Sequence, residues 1–391
     1  MSADYPPLRS RDSSVFGVSE DRPLRAAGRV GYGKKHPSVQ SPQTPVGMDV
    51  EREGLGTVSD SIWNEDSALA GSPGIVVGVD GSDQSICALV WAAKEAERRR
   101  APLHVVTAYT VPIFAASSMD AGYTTMDDAI IREGAQSVLD KALERISQYP
   151  IEVYPRVETG DAAAVLLELS EEAELMVVGS RGRGGFVGRL LGSVSSALPA
   201  HAKCPTVVVP LRTAGRLPEA GVRPPAGAPT EQTVEDVVVV GVDGSEQGRA
   251  ASLVAAEQAQ SRGLPLQILC ALPPFSGSLA WVPAPLDLEA LHAEISDQLR
   301  AGRAWLQSHF PDLPMTVRLI DGPPAEILID RTSSVELLVL GTRGRGGFAG
   351  MLLGSTSQSV LHHARGPLMV VPDHEDPRLD NRADFGSLPE E

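Results

Sequence analysis

One glycine-rich run occurs twice in this chain, and no other feature limits the possible folds as much. The first copy opens Gly179-Ser180-Arg181-Gly182-Arg183-Gly184-Gly185 and closes on Gly192-Ser193. The second opens Gly341-Thr342-Arg343-Gly344-Arg345-Gly346-Gly347 and closes on Gly354-Ser355. Laid over one another without a gap, residues 176–210 and 338–372 share 20 identities in 35 positions. An earlier landmark repeats as well: Asp80-Gly81-Ser82 returns as Asp243-Gly244-Ser245, shifted by 163 residues, and the glycine run returns shifted by 162. A unit of that length exceeds the roughly 20–50 residues of a solenoid repeat, so the duplicated piece is a whole domain.

Inside each unit, short apolar runs alternate with helical patterns. In the first, strands are expected at 74–79, 103–108, 151–158, 175–179 and 206–209, with helices at 84–99, 127–148, 162–172 and 193–202. The second repeats this, with strands at 237–242, 266–271, 315–320, 337–340 and 368–371. Such alternation implies parallel strands covered by helices on both faces, an α/β class with two tandem doubly wound domains. The expected boundaries are a disordered N-terminal extension at 1–72, a first domain at 73–210, a linker at 211–234, a second domain at 235–372 and a disordered acidic tail at 373–391. The extension is rich in Pro, Gly, Ser and charge and has no lasting period.

In a doubly wound sheet, ligands bind outside the carboxyl ends of the strands, where the winding reverses. That rule brings the Asp80 turn, after the first strand, beside the Gly179 loop, after the fourth. The loop offers backbone N–H groups without Cβ obstruction, and the helix that begins at Ser193 adds the partial positive charge of its N-terminus. Arg181 and Arg183 can pair with phosphate oxygens, and Ser193, Ser195 and Ser196 bring hydroxyls. No GxxxxGK[ST] occurs, so this is not a Walker A loop. A dinucleotide fingerprint would follow the first strand, not the fourth. The Asp80 carboxylate has two open readings, an acceptor for a ribose hydroxyl or a metal ion, or an Asx turn that caps the first helix. His104 reads as a core or edge residue, and His201, His362 and His363 as packed or dipole-favoured residues at helix ends.

Composition excludes several classes. The net charge of −16 argues against nonspecific nucleic-acid binding. The three cysteines, Cys87, Cys204 and Cys270, are odd in number and widely spaced, as expected of reduced thiols in a cytoplasmic protein and not of a disulfide frame or a zinc site. No run of about 18 apolar residues appears, so no membrane insertion is expected, and the first residues lack the apolar stretch of a signal peptide. Aromatics make up only 4% of the chain, so its cores must be built from Val, Leu, Ile and Ala.

The segments VGVDGS, PLHVV, VVGSRGRGGF…LLGSVS and CPTVVVP together resemble the universal stress protein family in its tandem form, over roughly residues 73–210 and 235–372. The spacing G-x2-G-x9-G-[S/T] is that of the ATP-binding branch, and both halves keep it. The resemblance implies an adenine-nucleotide α-hydrolase-like fold in each half, a five-stranded parallel sheet of order 3-2-1-4-5 flanked by four helices. It implies ATP, with Mg2+ as its companion ion, bound in both halves. Gly78 and Gly241 then let the nucleotide approach the first strand. Asp80 and Asp243 take the ribose and phosphate side, and Val105 and Ile268 occupy the strand position whose backbone meets adenine. Gly179 to Gly185 with Gly192, Ser193, Val194 and Ser195 form one phosphate loop. Gly341 to Gly347 with Gly354, Ser355, Thr356 and Ser357 form the other.

The leading expectation is a nucleotide-dependent sensor or regulator of the stress response, with an unknown protein partner. The alternatives are a slow ATPase or phosphotransfer enzyme, and a nucleotide-free scaffold. The last strand of such domains commonly pairs with another domain, so the two halves are expected to pair within one chain, and a homodimer of whole chains is expected in addition.

Overall fold

Two five-stranded parallel sheets join edge to edge in a computed structural model that describes residue 69 and residues 73–111, 128–182, 191–225, 234–273, 288–344, 352–373 and 376–379. All of these lie in one unit of the chain, Glu53–Glu391. The first half runs β1 (Ile75–Gly78), α1 (Asp83–Arg99), β2 (Leu103–Tyr109), α2 (Asp128–Glu144), β3 (Val153–Thr159), α3 (Ala162–Leu169), β4 (Leu175–Gly179), α4 (Ser193–His201) and β5 (Thr206–Val209). The second runs β6 (Glu235–Gly241), α5 (Glu246–Arg262), β7 (Leu266–Leu272), α6 (Leu288–His309), β8 (Met315–Asp321), α7 (Pro324–Thr332), β9 (Val335–Gly341), α8 (Ser355–His363) and β10 (Leu368–Val371).

The strand order is β3-β2-β1-β4-β5-β10-β9-β6-β7-β8, so each half has the expected 3-2-1-4-5 order. All pairings within a half are parallel. The one junction between halves, β5 with β10, is antiparallel, with Val207 opposite Met369. The apolar final strands therefore satisfy each other inside one chain. Pro155, which cannot donate to a ladder, sits in β3 at an outer edge of the sheet, where that defect is tolerated.

Strand side chains alternate between two helical layers. Val77, Val105 and Val177 face α1 and α2, while Val76, Val106 and Met176 face α3 and α4. Helix α1 starts at Ser82, whose Oγ accepts from the Ser85 amide, and α3 starts at Asp161, whose carboxylate accepts from Ala163 and Ala164. Two equivalent helix ends differ. Helix α5 stops at Gly263 in the left-handed conformation (φ 66°), whereas α1 stops at Arg100 in the same conformation (φ 54°).

Composition reads 211–233 as a mere connection, yet its first ten residues fold. Leu211–Arg216 and Pro218–Ala220 make 3-10 turns that bury Thr213, Ala214, Leu217 and Ala220. The expected acidic tail likewise contains a turn, Pro377–Leu379, with Leu379 packed on the core and Arg378 paired to Glu257 of α5 at 2.6 Å. Leu69, inside the expected extension, is buried, and its amide donates to Glu172. A few apolar residues in a polar stretch are invisible to pattern reading but find a helix surface in three dimensions. The rest of the extension, loops 112–127 and 274–287, linker residues 226–233, residues 374–375 and residues 380–391 lie outside the described residues, as do Arg183, Gly184, Gly185, Arg345, Gly346 and Gly347.

Candidate functional site: twin clefts at the switch points

Each half carries a cleft at the carboxyl ends of its central strands. The first, about 400 Å³, is bordered by Gly78, Asp80, Gly179, Arg181, Gly182, Gly192, Ser193, Val194 and Ser195, with Val106, Ala108, Ala162 and Leu166 as its apolar floor. The second, about 450 Å³, is bordered by Gly241, Asp243, Gly341, Arg343, Gly344, Gly354, Ser355, Thr356 and Ser357, with Leu269, Ala271, Pro324 and Leu328 in the same places. The structure thus brings together residues that are about a hundred positions apart in sequence.

The two parts of each site touch through a glycine. A Cβ on Gly182 would run into Oδ2 of Asp80, and one on Gly344 into Oδ2 of Asp243. Any side chain there would force that carboxylate oxygen or the loop to move. The other carboxylate oxygen serves the fold. Oδ1 of Asp80 accepts from the Ser82 amide at 3.0 Å and from the Ser82 hydroxyl at 2.6 Å, and Asp243 treats Ser245 identically. One oxygen thus builds the Asx turn and the other faces the loop. Ser82 Oγ also reaches the Arg181 carbonyl at 3.4 Å, stitching turn to loop.

Several residues expected to meet a ligand also hold the fold together. A Cβ on Gly179 would lie 2.7 Å from the Gln84 carbonyl carbon, and one on Gly341 would lie 2.9 Å from the Gln247 oxygen. These glycines let the first turn of α1 or α5 close onto β4 or β9. The Ser195 hydroxyl donates to the Ser180 carbonyl at 2.7 Å and accepts from the Gly192 amide at 3.0 Å, which fixes the start of α4 over the strand. The Ser357 hydroxyl likewise donates back to its strand, to Gly341 O at 2.8 Å. Ser196 back-bonds to Gly192 O at 2.8 Å. Gly192 and Gly354 are N-caps with no side chain to offer, so the first-turn amides of α4 and α8 are left for an anion.

The contact expected at Val105 and Ile268 is with their backbone, and strand pleat decides only where their side chains go. The side chains of Val105 and Ile268 face the α1/α2 and α5/α6 layer, away from these clefts. The neighbours Val106 and Ala108, and Leu269 and Ala271, line them instead. Alternation within PLHVV could have signalled this, because a strand turns successive side chains to opposite faces. Of the histidines, His104 is buried and stacked on Tyr154 at 5.0 Å, and His201, His362 and His363 border neither cleft. Among the described residues no group of three or more His, Cys, Asp or Glu could hold a metal by itself. No helix there is long and apolar enough to cross a membrane.

Comparison with known proteins decides the family. Residues 74–210 and again 236–372 match the Universal stress protein family. The chain belongs to that family. Universal stress protein Rv2623 of Mycobacterium tuberculosis is 35% identical over 312 residues, covering 77% of this chain and 96% of that protein. Universal stress protein Mb2028c of Mycobacterium bovis is 34% identical over 304 residues, covering 76% and 96%. A crystal structure of a universal stress protein from Archaeoglobus fulgidus superposes over 77% of this chain and 97% of its own, with a TM-score of 0.50 at 20% identity, a likeness of fold. The tandem arrangement of two universal stress protein domains is thus shared with proteins of similar extent.

Proposed function

We propose that this universal stress protein binds an adenine nucleotide, ATP in the first place, in each of its two clefts, and acts in the cytoplasm as a nucleotide-dependent regulator. Family membership supports the stress-response role. The observation that carries the nucleotide reading is the duplicated contact of Asp80 with Gly182 and of Asp243 with Gly344 beside a side-chain-free helix N-terminus. The phosphates take the first-turn amides of α4 and α8, with Arg181 and Arg343 at their side. The ribose hydroxyls face the Asp80 and Asp243 carboxylates. The adenine takes the apolar floor at Ala108 and Ala271. Asp80 and Asp243 are the only carboxylates among the described residues of each cleft, so an accompanying Mg2+ takes its protein oxygen from them.

The test is mild purification, extraction of bound nucleotide, and calorimetric titration of the emptied protein. Two adenine nucleotides per chain are expected, falling to none in the double variant Gly182→Glu with Gly344→Glu, whose circular dichroism stays that of the parent. Undiminished affinity in that variant would reduce the loops to turns. A hydrolysis assay on the same samples separates the regulator from the slow ATPase, which requires turnover abolished by one side-chain change. The homodimer of whole chains stands apart from this reading, because β5 and β10 already satisfy each other; light scattering with and without nucleotide decides it.

A further inference from the structure

The second half contains another hollow, about 320 Å³, on the opposite face of the sheet from its nucleotide cleft. It lies between α5, α6 and the end of β7. Its body is apolar, with Ile268 and Leu272 from the strand and Ile295, Leu299 and Leu306 from α6. Arg249 and Gln298 also line it, and the Gln298 amide donates to Glu294 Oε1 at 3.5 Å. The Asp243 turn, Gly248 and Cys270 border it on one side and the nucleotide cleft on the other.

The duplication shows where this space comes from. Helices α1 and α5 are both 17 residues long and align with the constant shift of 163. On the wall of the hollow, Ser85 of the first half becomes Gly248, Ile86 becomes Arg249, and Leu89 becomes Ser252. Leu89 is fully buried in the first half's core. In the second half that volume is given up, and a cation is placed beside it. Ser252 is itself satisfied, its hydroxyl donating to Gly248 O at 2.7 Å, so it acts as a small wall and not as a polar contact. Interiors pack tightly, and voids wider than a water are few. A hollow of this size, within the range of small-molecule sites and with apolar walls and an arginine in its lining, has the make-up of a binding site.

We infer that this hollow binds a small amphipathic carboxylate, its apolar body against Ile295, Leu299 and Leu306 and its head toward Arg249. Octanoate titrated into the full chain by calorimetry is expected to bind at one site per chain. Ser252→Leu, which restores the first half's residue, is expected to abolish that binding. Arg249→Ile, again the first half's residue, is expected to weaken octanoate at least tenfold while leaving octanol within twofold. Binding must persist in the Arg181→Ala, Arg343→Ala double variant, which alters both nucleotide clefts and leaves the aspartate turns in place. Loss there would place octanoate in the nucleotide clefts and overturn the inference, whereas persistence supports it whether or not those clefts bind nucleotide. Absence of saturable binding to the parent, undiminished binding to Ser252→Leu, or octylamine binding as tightly as octanoate would each overturn it too. Should Ser252→Leu fold poorly, intermolecular NOEs from octanoate to labelled Ile295 and Leu299 methyls in the parent chain decide the same question: their presence supports the site and their absence overturns it.

Discussion

Nη2 of Arg262 lies 2.7 Å from Oε2 of Glu95, and this ion pair, with side chains 2% and 0% exposed, crosses from one half of the chain to the other. Glu95 also receives Arg98 and, at 2.6 Å, Nε of Arg99. Arg262 sits over the Trp91 ring, 5.6 Å from its centroid. The pair has no twin, because the residue equivalent to Glu95 in the second half is Gln258. Burial opposes ionisation of Glu95, but the guanidinia of Arg262, Arg99 and Arg98 outweigh it and hold its carboxyl below the usual range. Burial draws the Arg262 guanidinium down to about 10, so the pair is ionic at neutral pH.

Removing one partner leaves buried guanidinium charge uncompensated. Glu95→Ala is therefore expected to lower unfolding stability by about 3–5 kcal/mol. Replacing both, as Glu95→Leu with Arg262→Met, should cost clearly less than the sum of the single changes, as chemical denaturation would show. The pH dependence has a fixed sign. A carboxyl whose folded pKa is depressed contributes stability above its unfolded value, about 4.3, and loses it as pH falls through the lower folded value. The acid slope of stability below about pH 5 should accordingly be shallower in Glu95→Gln than in the parent. Equal slopes would mean that Glu95 does not contribute this pH-dependent stability.

The linker is fastened by Arg216, whose guanidinium donates to the Val335 carbonyl at 2.8 Å and to the Ser333 carbonyl. Arg216→Ala leaves two carbonyls without these donors and should destabilise the chain by about 1–3 kcal/mol. Limited proteolysis should then cut within residues 211–225 faster than in the parent; an unchanged cleavage rate would contradict the fastening.

The two clefts proposed to hold nucleotide are expected to differ. Arg343, at the second, pairs with Asp373 at 3.6 Å, and the matching position after β5 is Leu211. Both partners are substantially exposed, so the effect is small. Asp373→Ala should tighten nucleotide at the second cleft by at most about fivefold, less at high salt, and leave the first unchanged. Site-resolved titration in a Gly182→Glu background reads the second cleft alone.

Arg100 ends α1 in the left-handed conformation that Gly263 adopts at the end of α5. A side chain there costs roughly 1 kcal/mol, which glycine does not incur. Arg100→Gly should raise stability by up to about 1 kcal/mol in thermal or chemical unfolding, against the usual trend for glycine substitutions.

Local pattern carries the part of the architecture that depends on neighbours in sequence. Strand–helix alternation and the repeated landmarks are set by periodicity and backbone chemistry within a few residues, so element order was legible, whereas the 3-2-1-4-5 order came from the resemblance to a family and not from local pattern. The site was legible in outline for the same reason: the winding rule alone places the Asp80 turn beside the Gly179 loop. It was not legible in detail. The side chain of Val106, and not that of Val105, lines the cleft because pleat phase decides which face a side chain joins. Gly179 and Ser195 serve packing because a helix start approaches there from elsewhere in the chain.

By itself, then, the sequence determined that this protein is a duplicated α/β chain with two matching turns and loops, since each of those features is written in a contiguous stretch. Only the tertiary structure decided how the halves join through Val207 and Met369, where the linker's Arg216 anchors, that Glu95 finds Arg262, and that the second half opens a hollow where the first holds Leu89. Each of those depends on side chains that are distant in sequence meeting in a low-dielectric or close-packed interior, where direction, volume and desolvation set the outcome and no local pattern records them.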